Sequence, residues 1–168
     1  MEAAGIGPQT TGSPIMIHEE IPRPAGFTTW LQVVRCYQKA SRRLSLRLRP
    51  LDITLAQLDV LANLHARGGG GVTQQELAQR LLVTKGNVSG LLDRMVVRGL
   101  VERRTDPSDR RSNQIFLTPG GKRLAARAVA IQREFVKEML ETLTPDEQGV
   151  LAGMLERVEE RLEGMENN

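Results

Sequence analysis

The residues best suited to chemistry in this chain of 168 residues lie in one short stretch near its middle. At 100° per residue, one side of a helix there carries only small or polar side chains. They are Gly86, Asn87, Ser89, Gly90 and Asp93. An asparagine amide can bind an adenine edge through two hydrogen bonds, and a serine hydroxyl makes a less selective contact. This face predicts a helix that reads base edges in the major groove of duplex DNA.

The same stretch supplies the candidate contacts of a recognition helix. We predict that DNA is contacted by Thr84, Lys85, Asn87, Ser89 and Arg94. The hydroxyl of Thr84 can also cap the helix by accepting a backbone N–H of the first turn. Arg94 lies further along, so a phosphate contact is favoured over a base contact. An ion pair within the same module accounts for Arg94 equally well.

The elements that must position this face follow from the neighbouring pattern. The opposite side of the helix is apolar, with Val88, Leu91, Leu92 and Met95, and Gly99 is a plausible helix end. Residues 100–104 and 113–117 then read as two short strands. The turn over residues 106–112 carries Arg110 and Arg111 at its tip. Helix, strand, basic hairpin and strand together predict a winged helix-turn-helix.

Two shorter helices precede the recognition helix. Thr54 and Gln57 form a predicted capping box for a helix that runs to about Ala66. Thr73 and Glu76 form a second capping box for a helix that ends near residue 80. The spacing of this second helix from the recognition helix is that of a helix-turn-helix. The four glycines between the capping boxes are predicted to be a flexible link.

Charge is distributed unevenly along the chain, although the net charge is only +3. Residues 80–123 hold ten Lys and Arg against four Asp and Glu. Residues 124–168 hold five against ten, so the C-terminal part is acidic. Basic charge therefore concentrates on the predicted recognition helix and wing, where a phosphate backbone would lie. A solvated basic surface without a partner is the alternative.

The remaining segments complete the predicted domain organisation. Residues 1–26, rich in Gly and Pro, are predicted to be a flexible arm, and residues 27–50 a first dimerisation helix. Residues 51–117 are the winged helix-turn-helix DNA-binding domain, and residues 118–168 are two C-terminal dimerisation helices. The long amphipathic helices need a partner surface, and a second subunit supplies one. An internal bundle is the alternative.

The predicted fold class is mainly α: a winged helix-turn-helix with a small antiparallel β wing, plus N- and C-terminal helices that form a dimerisation region. Several other classes find no support. No apolar run reaches the roughly 18 residues of a membrane span, and the N-terminus shows no secretory pattern. No nucleophile–base set, cofactor loop or Cys/His zinc spacing is present, so we expect no enzyme activity, no cofactor and no metal. A single cysteine fits a reducing cytoplasm.

Three motifs resemble the signature of the MarR family of bacterial transcriptional regulators. They are RGLVERR at 98–104, DPSDRRS at 106–112 and LTPGGKRL at 117–124. The similarity in pattern and element order runs from about Phe27 to the C-terminus. It implies a homodimeric repressor that leaves a palindromic operator when a small anionic or phenolic ligand binds. It also implies that Arg111 enters the minor groove while Asp109 braces the wing through an arginine.

The resemblance also suggests ligand-binding residues. The urate-responsive branch of the family pairs an Asp of the second helix with an Arg of the first wing strand, and Asp59 and Arg103 match these positions. That branch also uses a Trp in an extra N-terminal helix, whereas Trp30 lies in the first core helix here. The departure argues against urate itself. A structural brace between Asp59 and Arg103 is the alternative to a ligand site.

Two further hypotheses remain open. Cys36 lies among basic residues, which favour a thiolate, and one branch of the family senses peroxides through a cysteine in this helix. A buried, inert cysteine is the alternative, and the sequence favours it. A winged-helix module that binds protein rather than DNA would need an exposed apolar recognition face. Gly86, Asn87, Ser89 and Gly90 do not provide such a face.

Overall fold

The computed structural model describes residue 24 and residues 26–81, 85–105 and 113–166. Six helices and three strands occupy this part of the chain. The helices are α1 (Phe27–Leu48), α2 (Leu55–Ala66), α3 (Gln74–Arg80), α4 (Lys85–Val97), α5 (Pro119–Leu140) and α6 (Pro145–Glu166), and a 3-10 turn covers Arg49–Leu51. The strands are β1 (Val72–Thr73), β2 (Val101–Thr105) and β3 (Asn113–Leu117). The mainly helical fold with a small antiparallel sheet confirms the predicted fold class.

The chain divides into two units, residues 1–35 and 36–168. In the first unit, the described residues form a turn and the beginning of α1. The Phe27 amide donates to the Pro24 carbonyl at 3.0 Å, and the Trp30 amide donates to the Gly26 carbonyl at 2.9 Å. The Trp30 side chain is exposed. The arm predicted for residues 1–26 lies mostly outside the described residues.

In the second unit, the helices begin where the sequence predicts. The side chain of Thr54 accepts from the Gln57 amide and that of Thr73 from the Glu76 amide, and both capping boxes are complete. At the start of α5, the Thr118 hydroxyl oxygen accepts from the Gly121 amide at 2.9 Å. These side chains satisfy amide groups that have no partner within the first turn of a helix.

The sheet has the order β1-β3-β2, and both pairings are antiparallel. Val101 pairs with Leu117 and Arg103 with Ile115, while β1 places Val72 against the other side of Ile115. The strand β1 was not predicted, because two residues after a glycine run carry no alternation. It forms because β3 offers a free edge beside it, and the buried Val72 completes the inner face of the sheet.

The core is aliphatic and centres on α2, α4 and the sheet. The completely or almost completely buried large side chains include Leu48, Leu58, Leu61, Leu64, Leu77, Leu92, Met95 and Ile115. Helix α2 packs on α5, and α3 packs on α4. Burial of this apolar area is the main favourable contribution to the stability of the folded second unit.

A charged contact joins α1 to α5 within the second unit. Arg47 binds the Glu138 carboxylate with both terminal nitrogens, one of them at 2.9 Å. Its guanidinium also lies 5.3 Å from the centre of the Phe135 ring. The hydrogen bond from Arg47 lowers the pKa of Glu138. This two-point geometry fixes the register of the C-terminal part of α1 against α5.

Helix α6 exposes an apolar stripe. Its exposed side chains recur at three- and four-residue steps; they are Leu151, Met154, Leu155, Val158, Leu162 and Met165. A contiguous apolar face of this kind is typical of an interaction surface. No helix in the described part of the chain is both long and apolar enough to cross a membrane.

Candidate nucleic-acid interface

Helix α4 is anchored by its inward side. Val88, Leu92 and Met95 are fully buried and Leu91 nearly so, as the sequence predicts. Two residues after the end of α4, Gly99 has φ +64°, a conformation that costs glycine little and other residues more. The Leu100 amide then returns to the Met95 carbonyl at 2.9 Å, which is the bonding of a glycine-ended helix.

The outward side of α4 is small where it is described. Ser89 and Gly90 are half-buried, and Asp93 is exposed. Lys85 and Asn87 lie in the first turn of the helix, and Thr84 precedes it outside the described residues. A helix with so little bulk on this side can lie deep in a groove. The individual DNA contacts assigned to these residues stay predictions.

Arg103 of strand β2 fastens the sheet to α4. Its guanidinium donates to the Asp93 carboxylate at 2.5 Å. The prediction that Arg103 braces Asp59 is therefore wrong, since the arginine is committed to the recognition helix. The helix and strand lie close in space while residues 93 and 103 share no periodicity, so the sequence carries no signal for this pair. The consequence is a recognition helix held at a defined angle to the sheet.

Asp59 lies on α2 and forms no ion pair with an arginine among the described residues. Burial raises the pKa of its carboxyl, although part of the side chain remains exposed. Its backbone carbonyl accepts from the Asn63 side chain at 2.9 Å. A carboxylate that loses water and gains no cation costs stability when it ionises. The ligand role assigned to Asp59 and Arg103 stays a prediction.

Asp59→Asn is therefore expected to raise the Tm at pH 7. Because the pKa is higher in the folded state, the ionisation penalty is present above that pKa and disappears as pH falls toward the ordinary value of 3.8. The gain from Asn should shrink over the same interval. Thermal unfolding at pH 7 and pH 4 measures it, with the exposed Glu141→Gln as control. A variant less stable than wild type at pH 7 would contradict the assignment.

Two arginines near the end of α4 differ in their partners. Arg98 donates to the Asp52 carbonyl at 2.7 Å and to its carboxylate at 3.1 Å. Arg94 is exposed, and its side chain makes no hydrogen bond or ion pair in the described part of the structure. Of the two predicted explanations for Arg94, an ion pair within the reader therefore finds no support in this part. Its guanidinium remains available to an anion.

The wing is described only at its base. Arg110, Arg111 and Asp109 lie outside the described residues, and their roles stay predictions. At the base, Arg104 pairs with Glu102 and lies 4.5 Å from the centre of the Phe116 ring. The Thr118 hydroxyl donates to the Gly99 carbonyl at 2.6 Å, which ties the end of β3 to the end of α4. The start of β2 and the end of β3 are thus held together beside the end of α4.

Cys36 is free and exposed, so the prediction of a buried cysteine is wrong for this chain. It lines an apolar cleft of about 790 Å³ between α1, α5 and α6, together with Lys39 and Arg43. The position faces away from the core because the α1 residues that pack into the core are Ala40, Leu44 and Leu48. No cluster of potential metal ligands occurs among the described residues.

Recognition helix, sheet and base of the wing define the class: this is a winged helix-turn-helix protein. A MarR family model matches residues 51–112. The multiple antibiotic resistance protein MarR of Escherichia coli is 36% identical over 122 residues, which are 72% of this chain and 83% of that protein. An HTH-type transcriptional regulator of Bacillus cereus is 30% identical over 84% of this chain and 93% of its own length.

Solved structures agree. A mutant E. coli MarR complexed with operator DNA superposes with a TM-score of 0.71 at 32% identity, covering 79% of this chain and 94% of that one. AbsC from Streptomyces coelicolor, at 24% identity, shares the fold with a TM-score of 0.76, over 82% of this chain and 93% of its own. The chain belongs to the MarR family of transcriptional regulators. The family confirms the prediction that it is not an enzyme.

Proposed function

We propose that this protein is a homodimeric, sequence-specific DNA-binding repressor that a small anionic or phenolic ligand releases from a palindromic operator, acting in the cytoplasm. In this proposal, residues 51–117 bind double-stranded DNA. Residues 27–50 and 118–168 form the dimer. The observation that carries it is the outward side of α4, small and polar around Ser89 and Gly90, on a helix locked to the sheet by Asp93 and Arg103.

Pre-organisation of α4 favours DNA binding by its small polar side. A reader that must order itself on binding loses part of its affinity to that ordering. Here the inward side chains of α4 are buried, and an ion pair links the helix to β2. The E. coli relative with comparable architecture was crystallised with operator DNA, which supports the same partner for this chain.

Dimerisation is supported by the apolar stripe of α6. The six large apolar side chains of the stripe are exposed in the single chain, and a second copy would remove them from water. Twofold symmetry then presents two recognition helices to successive major grooves, about one helical turn apart. This arrangement accounts for the palindromic operator in the proposal.

The effector is supported by the cleft that Cys36 lines. Its lining combines apolar side chains such as Leu151 and Phe135 with the cations of Lys39 and Arg43. An aromatic ring with a carboxylate or phenolate suits both halves of this lining. Trp30, Asp59 and Arg103 remain the residues that the family resemblance nominates for ligand contact.

The test is fluorescence-anisotropy binding to the upstream intergenic duplex over a salt series. We expect wild type to bind with a steep salt dependence, because neutralising phosphates releases counterions. Arg111→Ala should weaken binding by about tenfold or more, since a minor-groove guanidinium contributes about 1–3 kcal/mol. Arg127→Gln, at an exposed position of α5 away from the apolar stripe of α6, is the matched control for loss of one arginine.

Opposite results would reject the proposal. Absence of binding to both intergenic and random duplexes, or binding insensitive to salt, would mean that the basic wing serves another partner. Equal affinities of Arg111→Ala and the control would remove the wing from the interface. Sedimentation of the same samples at micromolar concentration tests the dimer, and a monomer that binds DNA fully would reject that part alone.

A further inference from the structure

We propose that a polar cleft where the end of α1, the start of α2 and the end of α4 meet binds a phosphoryl oxyanion, and that its natural occupant is a backbone phosphate of the bound duplex. This inference rests on the proposed DNA-binding function and adds a contact outside the recognition helix face and the wing. The cleft encloses about 390 Å³. Its polar lining is Arg49, Asp52, Thr54, Gln57, Arg94 and Arg98.

Charge in the cleft is unbalanced in favour of an anion. Three of the lining side chains are arginines, and one is an acid. Arg98 donates hydrogen bonds to both the backbone carbonyl and the carboxylate of Asp52, so this acid already has a partner. The side chains of Arg49 and Arg94 make no hydrogen bond or ion pair within the described ranges. Two guanidinium groups are therefore left to a ligand, and arginine is the side chain best matched to phosphate oxygens.

A buried amide supplies a neutral donor. Gln57 is only 7% exposed, and its Oε1 accepts from the Thr54 amide at 3.0 Å. This bond places Nε2 on the other side of the carboxamide, where no residue of the described structure accepts from it. The side chain lines the cleft, and because no buried side-chain nitrogen or oxygen of the described residues lacks a partner, its Nε2 is open to solvent. The N-terminus of α2 lies at the same place and adds the positive end of its dipole.

The cleft is continuous with the recognition helix. Arg94 lies one turn beyond Gly90, and its Nη1 would be 3.7 Å from a Cβ built at that glycine. The side chain therefore runs back along α4 toward the proposed base-reading side. A phosphate held here would belong to the strand that flanks the groove in which α4 lies. Phosphate contacts of this kind set the register of a reader on the duplex.

Two substitutions with opposite expected effects on DNA affinity test the site. Gln57→Glu keeps a side-chain acceptor for the capping box but turns the free donor into an anion. We expect it to weaken binding by about tenfold and to lower the salt slope by about 2 per dimer, one phosphate contact per subunit. Asp52→Asn removes the competing carboxylate, and Asn tolerates the left-handed backbone found there, φ 51°. It should tighten binding by about threefold.

Each substitution should change the affinity for operator and for random duplex by the same factor, because a phosphate carries no sequence information. Arg127→Gln, an exposed arginine of α5, is the control and should change affinity by less than about twofold. Thermal unfolding confirms that each variant is folded. If wild type binds with a steep salt slope and Arg111→Ala weakens it, but Gln57→Glu behaves as the control, this site is overturned while the proposed function stands.

Free phosphate is the other source of the same chemistry. The DNA-free protein is titrated with inorganic phosphate and followed by phosphorus NMR line broadening. Broadening with wild type that is lost in Gln57→Glu, together with unchanged DNA affinity, would overturn the duplex as occupant. Weakened DNA binding in Gln57→Glu, with the opposite change in Asp52→Asn, would establish it. Loss of DNA binding by wild type and Arg111→Ala alike would reject the proposed function first.

Discussion

Leu92→Ala is expected to lower the free energy of unfolding by about 3 kcal/mol. Leu92 is fully buried on the inward side of α4, within the aliphatic core. Truncation removes three carbon atoms from water-free surroundings and leaves a cavity that the neighbouring helix and sheet fill incompletely. Urea unfolding at fixed protein concentration measures the change, since dimerisation would make stability concentration-dependent.

Val97→Ala is the matched control on the same helix. Val97 is 88% exposed, so its truncation should change the free energy of unfolding by less than about 0.5 kcal/mol. If Leu92→Ala proved as mild as Val97→Ala, α4 would not be packed as described. The support for a pre-organised recognition helix would then be lost.

Gly121→Ala is expected to lower the free energy of unfolding by about 2–3 kcal/mol. A Cβ at this position would overlap the Leu100 carbonyl, and the overlapped atoms belong to backbone. That carbonyl cannot simply move away, because it accepts from the Thr118 amide at 3.1 Å. The substitution therefore forces apart the end of α4 and the start of α5.

Gly120→Ala separates this crowding from the effect of any alanine in the first turn. Its Cβ would lie 3.7 Å from the nearest atoms, which is ordinary van der Waals contact. Alanine favours a helix over glycine by up to about 1 kcal/mol, so Gly120→Ala should be neutral or stabilising. Thermal and urea unfolding of the two neighbours make the comparison. Equal stabilities would show that α5 does not approach Leu100 closely.

Local chemistry accounts for what could be predicted from the sequence. The Thr54 and Thr73 caps were predicted because the partners of a capping box are three residues apart. The inward side of α4 was predicted because apolar side chains that recur every three or four residues must share a face. Gly99 ends the helix for an equally local reason, its positive φ.

Pairings between distant residues account for what could not be predicted. The sequence suggested Asp59 as the partner of Arg103, but the packing of α4 on β2 places Arg103 against Asp93. The strand β1 exists because β3 presents an edge to residues with no alternation of their own. Cys36 is exposed because α1 turns other positions toward the core.

The sequence by itself determined the six helices, the two wing strands, their order and the polar side of the recognition helix, since these depend on interactions within a few residues. The tertiary structure alone decided the angle at which α4 is held. It also decided the meeting of Gln57 with Arg94 in one cleft and the stripe that α6 leaves uncovered. These features depend on which faces pack together. The periodicity of a sequence shows which residues share a face, but it does not show which element packs against that face.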